Sequence, residues 1–465
     1  MSETSSWSPV DRTPRRGSAG PAFGAFTTPT RVIALSFALL ILAGTVLLRL
    51  PVSHGDRDIG TLEALFTATS AVCVTGLAVV DTGTAFSGFG QVVIMLLFQL
   101  GGLGLLTFGT FLALATGRRL GVGNRLRMQE QVSGSNVGGI VDLVRTIAIV
   151  VGVAEVTGAL LLYFRFAPNE GVGLGAWHAV FHSVSAFNNA GFSLYPDSLS
   201  RYVGDPVVNL TVIVLILVGG LGFVVITNLH RWSRPGSGRV RLSLHTRMVL
   251  TMTAFLVAAG TSLIMLAEWN NPDTLRPLSS PTRVIASVFQ AVTPRTAGFN
   301  TLDYGEFTTA GLLVTMLLMF IGGNPGSTAG GIKTVTFHVV VLSIWSTIRG
   351  RSDTVAFGRR IVPETVVRAA AIAGSAAIVG GAAVTLLAVF EPDLPLQGLL
   401  FEAISALGTV GLSVGITPEL DTPARLVLIM LMFVGRIGLL TFALALVDRD
   451  RHGAVRHPAE EVVVG

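Results

Sequence analysis

Lysine is all but missing from this sequence. Lys333 is the only one among 32 basic residues, so nearly all the positive charge is arginine. Cysteine is as scarce: Cys73 stands alone, which excludes an intramolecular disulfide and any cysteine-built metal site. Charge of either sign is thin, at 13% of 465 residues. A soluble domain carries about 25%, and 51% of this chain is hydrophobic, so an ordinary soluble fold is excluded. The apolar runs hold no serine–lysine pair, paired aspartates or HExxH motif, which argues against an intramembrane enzyme. No basic patch interleaved with aromatics offers a surface for nucleic acid, and no pattern asks for an organic cofactor. The first apolar run starts about thirty residues in and is long enough to span, which no secretory signal is.

What the chain does contain is a repeat. Residues 1–30 are rich in Ser, Pro and Gly, with Arg12, Arg15 and Arg16, and read as a disordered arm. One unit then occurs four times, at 31–116, 138–230, 245–348 and 365–447, before a tail at 448–465. Each unit has a spanning helix, a shorter apolar segment ending in a glycine-containing turn, and a second spanning helix. The first helices are expected at about 31–50, 138–164, 247–268 and 366–390. The short segments align as LFTATSAVCVTGL (65–77), VFHSVSAFNNAGF (180–192), VFQAVTPRTAGF (288–299) and LFEAISALGTVGL (400–412). A phenylalanine (Phe66, Phe181, Phe289, Phe401) precedes a glycine (Gly76, Gly191, Gly298, Gly411) by nine or ten residues. A polar residue follows each phenylalanine: Thr67, His182, Gln290 and Glu402.

The second helices align through QLGGLGLLTF (99–108), LVGGLGFVVI (217–226), FIGGNPGSTA (320–329) and FVGRIGLLTF (433–442). From the short-segment glycine to Gly102, Gly220, Gly323 and Arg436 the count is 26, 29, 25 and 25 residues. Close packing through small residues explains the helix glycines but not their constant distance. The expected fold is an all-α polytopic membrane protein with four helix–pore helix–helix repeats around a central ion pore.

Charge assigns the sides. Arginines follow the second helices at 118, 119, 125, 127, then 231, 234, 239, 241, then 349, 351, 359, 360, and again in the tail at 449, 451 and 456. Acids crowd the opposite loops, among them Asp56, Asp81, Glu170, Asp205, Glu268, Asp303, Glu391 and Asp421. By the positive-inside rule both termini are cytoplasmic in the cell (plasma) membrane. The short segments then enter and leave from outside. Salt screens those acids, so they concentrate cations at the mouth only weakly.

One second helix is interrupted. Gly322, Gly323, Asn324, Pro325, Gly326, Ser327, Thr328, Ala329, Gly330 and Gly331 cannot continue a helix, yet apolar runs flank them. Irregular backbone at membrane depth is tolerated where protein buries it or where it lines a water-filled cavity, so this loop should lie inside a pathway. The four turns, Val74-Thr75-Gly76, Asn189-Ala190-Gly191, Thr296-Ala297-Gly298 and Thr409-Val410-Gly411, contain no carboxylate. Their expected ligands to an ion are backbone carbonyls, which replace a hydration shell in potassium filters. The negative ends of four short helices favour a cation there.

The chain resembles the Trk/Ktr/HKT superfamily of potassium transporters across essentially residues 31–447. The likeness rests on the four repeats, on TAGF at 296–299, on GSTAGGIKT at 326–334 and on GRIGLLTF at 435–442. It implies one filter glycine per repeat (Gly76, Gly191, Gly298, Gly411), a gating loop at about Gly322–Gly331, and transported K⁺. Some plant members carry serine at the first filter position and favour sodium, whereas this chain has Gly76. A sodium-permeable or sodium-coupled transporter of the same fold is the alternative. Only thirty polar residues precede the first span, so the extra helices of the Trk branch are not expected and the Ktr membrane subunit is the closer match. The resemblance also implies a homodimer in membrane lipid with a cytoplasmic nucleotide-binding ring.

Three charged positions complete the expectations. Arg436 stands where the first two repeats have glycine, at a depth where charge costs about 2.5–3.5 kcal/mol. It should face the pore and hold free carbonyls of the loop. Lys333 either joins the gate or marks the cytoplasmic end of the break. Arg295 and Glu402, in neighbouring pore segments, are expected to form a salt bridge bracing the filter from behind. His182 is expected to be a hydrogen-bonded structural residue rather than a metal ligand.

Overall fold

A bilayer offers backbone groups no water, so the apolar runs satisfy their N–H and C=O groups internally as helices. The computed structural model describes residues 29–104, 140–233 and 241–438. The first unit holds α1 (Pro29–Leu48), α2 (Thr61–Val72), the single turn α3 (Thr82–Ala85) and α4 (Gly88–Leu103). The second holds α5 (Ile140–Glu170), α6 (Val172–Asn188), α7 (Pro206–Leu221) and α8 (Phe223–Ser233). The third holds α9 (Leu244–Glu268), α10 (Ser280–Val292), α11 (Thr309–Phe320) and α12 (Thr334–Ile348). A two-stranded hairpin, β1 (Val355–Ala356) with β2 (Arg359–Arg360), leads to α13 (Pro363–Phe390), α14 (Leu396–Gly408) and α15 (Thr422–Ile437). The expected N-terminal arm, Arg118 to Arg127, Arg234, Arg239 and the C-terminal tail lie outside the described residues.

Among the described residues α1, α5, α9 and α13 are long and apolar enough to cross a membrane, and α7 with α8 makes a fifth span if the bent pair is counted as one. Their outer faces expose Leu39, Val153, Phe255 and Ile378, as lipid contact requires. The short helices α2, α6, α10 and α14 lie at the centre, where Phe66, Phe181 and Phe401 are 0% exposed and Phe289 1%. The second helices of units one to three start on side-chain caps that satisfy orphan N–H groups: Ser87 to Gly90, Asp205 to Val207 and Val208, Thr308 to Gly311. Glu268, one of the expected outer acids, is 0% exposed. It accepts from Asn271, Thr274 and Thr308, so it ties α9 to α11 and adds nothing to a charged mouth.

In units one, two and four the near-constant spacing has a cause. A Cβ on Gly101 would lie 2.0 Å from the Val72 carbonyl, on Gly219 1.8 Å from that of Phe187, and on Gly435 2.1 Å from that of Leu407. Each glycine lets the second helix press on the end of its own unit's short helix. The break, however, is not confined to the third unit. Gly222, at φ +91, turns α7 into α8 through 98°. Gly104 and Gly438, at φ +77 and +91, close α4 and α15 at the motif position where the third unit has Pro325. A left-handed glycine cannot continue a right-handed helix.

Gly101→Ala should therefore overpack the α2–α4 contact and cost about 1–3 kcal/mol or more. Gly374→Ala, in α13 with nothing within 4 Å of its added Cβ, should be neutral or stabilise by up to about 1 kcal/mol. Thermal unfolding of the purified protein measures both; equal shifts would contradict the packing role.

Candidate functional site

The four turns repeat one backbone conformation. Val74, Asn189, Thr296 and Thr409 have φ of 56, 58, 71 and 49°, and two residues on Gly76, Gly191, Gly298 and Gly411 have 93, 71, 80 and 92°. Two left-handed residues bracketing one ordinary residue reverse the chain at the end of each short helix. The glycines meet around an axis. A Cβ on Gly76 would lie 2.6 Å from the Ala190 carbonyl oxygen, on Gly191 3.0 Å from that of Ala297, on Gly298 2.6 Å from that of Val410, and on Gly411 2.0 Å from that of Thr75. Unit one thus meets two, two meets three, three meets four and four meets one. The middle carbonyls close a ring, and a Cβ on any of the four glycines would force it to shift.

Sequence reading missed what holds each turn. Four residues after the phenylalanine stands a hydroxyl: Ser70, Ser185, Thr293 or Ser405. Ser70 and Ser405 accept from the N–H of Gly76 (3.0 Å) and Gly411 (3.1 Å), while Ser185 and Thr293 donate to the carbonyls of Phe192 (2.8 Å) and Phe299 (2.5 Å). The signal was present as a hydroxyl at one offset in all four copies.

The polar residue after the phenylalanine braces the chain leaving the turn. His182 donates from Nδ1 to the His178 carbonyl and meets Ser193 Oγ through Nε2 at 3.0 Å, a structural role. Gln290 accepts from Tyr304 (2.9 Å), and Glu402 accepts from Ser413 (2.5 Å) and Thr417 (2.8 Å). The expected Arg295–Glu402 salt bridge is not formed. Glu402 is spent on hydroxyls of its own unit, and Arg295 donates across to Thr253 Oγ1 on α9 (3.3 Å). Lys333 belongs with the loop, as described below.

The loop between α11 and α12 packs beneath this ring. A Cβ on Gly330 would lie 1.8 Å from Thr409 Oγ1 and one on Gly331 3.0 Å from the Gly408 carbonyl. Breaking α7 frees carbonyls, and the loop supplies donors: Asn324 Nδ2 to Gly220 (2.8 Å) and Thr328 N to Gly219 (3.3 Å). Phe223 N returns a bond to Gly326 O (2.9 Å), so loop and bend hold each other. Pro325 O lies against Gly222, Ser327 Oγ donates to Asn324 O (2.7 Å), and Lys333 Nζ donates to the carbonyls of Ala329 (2.6 Å) and Gly330 (3.3 Å). Gly323 O accepts from Thr334 N, while a Cβ on Gly322 would strike the Gly330 carbonyl at 2.3 Å. Arg436 donates to Thr328 O (2.6 Å) and to the carbonyls of Gly101 and Gly102. One guanidinium therefore joins units one, three and four.

A second buried group escaped sequence reading. Gln99 donates to Glu155 at 3.0 Å, and Asn188 Nδ2 donates to Gln99 at 2.5 Å and to Glu155 at 3.3 Å. This network ties α4, α5 and the last turn of α6, one residue before Asn189. Its signal was an acid alone in a span otherwise uncharged from Thr146 to Phe164.

Glu402→Ala should destabilise by about 1–3 kcal/mol, because it leaves buried hydroxyls unpaired. A double-mutant cycle of Arg295→Met with Glu402→Gln should show coupling below about 0.5 kcal/mol by thermal unfolding. Coupling well above that would restore the ion pair.

Comparison with known proteins supplies the family. Residues 18–452 match the TrkH family, cation transport proteins. Ktr system potassium uptake protein B of Bacillus subtilis is 42% identical, across 94% of this chain and 97% of that protein. Its Vibrio alginolyticus namesake is 39% identical over 94% of each, and the potassium/sodium uptake protein NtpJ of Enterococcus hirae is 35% identical over 94% and 97%. The crystal structure of the potassium transporter TrkH from Vibrio parahaemolyticus superposes with a TM-score of 0.70 over 90% of this chain and 84% of that one, at 20% identity, a likeness of fold. The family consists of ion transporters, not enzymes, and the chain is a multi-pass membrane protein. The chain belongs to the TrkH family of cation transport proteins.

Proposed function

We propose that this protein carries K⁺ into the cell through the ring of middle carbonyls, gated by the loop beneath it. The observation that carries the reading is the cyclic contact of four left-handed glycines with four carbonyl oxygens. Stacked or ringed carbonyls offer a dehydrating cation neutral oxygens at fixed spacing. The buried hydroxyls of Thr75, Thr296 and Thr409, which have no protein partner, add acceptors at the same turns. Val74, Asn189, Ala297 and Val410 complete the proposed filter through their backbone. The relatives named for potassium uptake support the choice of ion. Sodium permeation is the second reading, favoured by the relative named for potassium and sodium. Both termini cytoplasmic, a homodimer and a cytoplasmic nucleotide-binding ring belong to the same proposal. Cells lacking potassium uptake should grow on limiting K⁺ when they express the chain, and failure of a membrane-inserted protein to support growth would sink the reading.

Gly76→Ser would add a Cβ 2.6 Å from the Ala190 carbonyl at φ +93. It should lower the K⁺/Na⁺ permeability ratio in proteoliposomes while the protein stays folded. An unchanged ratio would move the filter elsewhere.

The loop and Arg436 should act as a barrier. Arg436→Ala removes one tether and one repulsive charge, so basal flux should rise severalfold with selectivity kept. Deleting Gly326–Ala329 should do the same, because the ring is bonded separately. A folded deletion protein conducting no faster than wild type would rule out the gate.

A further inference from the structure

Away from the axis, the connection between α12 and α13 carries a feature that ion transport does not use. Strands β1 and β2 pair Val355 with Arg360 and Ala356 with Arg359, leaving a two-residue turn of Phe357 and Gly358. Both turn residues have positive φ, 50 and 73°. Such turns favour Asn, Asp or Gly, so a phenylalanine there is strained, and its side chain is 48% exposed. The hairpin does not dangle. Ala356 and Ile361 are buried against Met248 of α9, Val339 of α12 and Ala369 of α13.

Its surroundings are basic. Arg349, Arg351 and Arg359 are exposed, with no acidic partner among the described residues, whereas Arg360 pairs with Asp353 at 2.8 Å. Arg349 stacks over Trp345, 4.5 Å from the ring centroid, and Trp345 is itself exposed. Depth follows from the chain. The α13 span begins at Pro363, three residues beyond Arg360, and α12 ends one residue before Arg349. The base of the hairpin therefore sits at the ends of these two helices.

We propose that this hairpin is a binding site for anionic phospholipid. Phe357 enters the acyl boundary, and the guanidinium groups of Arg349, Arg351 and Arg359 hold headgroup phosphates, which their planar forks match. An acidic soluble protein would also attract arginine. The bilayer is favoured because exposed apolar side chains stand at both ends of this connection, Ile348 at the end of α12 and Val362 just before the apolar span α13. Aromatic and arginine side chains mixed at this depth fit an interface.

The lone native thiol makes the test selective, because Cys73 is fully buried. Phe357→Cys in the full chain is labelled with a nitroxide and reconstituted in phosphatidylcholine vesicles, with or without phosphatidylglycerol. Gel filtration matching wild type controls for fold. The expected result is a label reached by oxygen more than by an aqueous nickel chelate, shifted deeper when phosphatidylglycerol is present. Adding Arg351→Gln and Arg359→Gln should abolish that shift. A label open to the chelate in both vesicles overturns the proposal and leaves the surface to a soluble partner. Equal depth in both vesicles overturns the phosphate assignment.

Discussion

The rest of this structure depends on one constraint: a backbone group at membrane depth must find a partner. A continuous helix meets it alone. This chain departs from continuous helix twice, at the four turns and at the breaks below them, and each departure leaves free carbonyls. At the breaks the protein supplies the donors itself, through Asn324, Thr328, Lys333 and Arg436. At the ring, among the described residues, no hydrogen bond reaches the carbonyls of Thr75, Ala190, Ala297 and Val410, and these are the neutral oxygens of the proposed filter.

Four copies of one backbone plan are held by four different chemistries. The residue behind the turn is Thr67, His182, Gln290 or Glu402, and each of the last three bonds to a hydroxyl of its own unit. Thr67 is too short to reach across and its buried Oγ1 has no protein partner. Geometry has been kept while side-chain identity has varied. An acid at this position needs no cation opposite, which is why Arg295 and Glu402 stand apart.

Much of this was legible because repeats amplify weak signals. One glycine in an apolar run says little, but glycines at matching offsets in four copies locate the turns, their short helices and the third break. Pairings between side chains were not legible. Arg295 and Glu402 are opposite charges in adjacent copies, and distance alone separates an ion pair from two independent hydrogen bonds. The break at Gly222 was hidden because glycine is common in packed membrane helices, and only its φ of +91 shows which role it has. Glu155 was visible as an isolated acid, but its amide partners come from two other helices.

Where the bonds run separates the proposed filter from the proposed gate. The hydroxyls that hold the turns, Ser70, Ser185, Thr293 and Ser405, act within their own units. Asn324, Thr328 and Arg436 instead join units: two to three, then three to four and one. A relative movement of the second helices therefore has to strain the loop's bonds between units, whereas each turn's own bond runs within one unit. Lys333 moves with the loop, since its carbonyl partners lie within it. The Arg436 guanidinium sits where such a movement is felt by three units at once. On the proposed reading, this path of hydrogen bonds lets opening vary apart from selectivity.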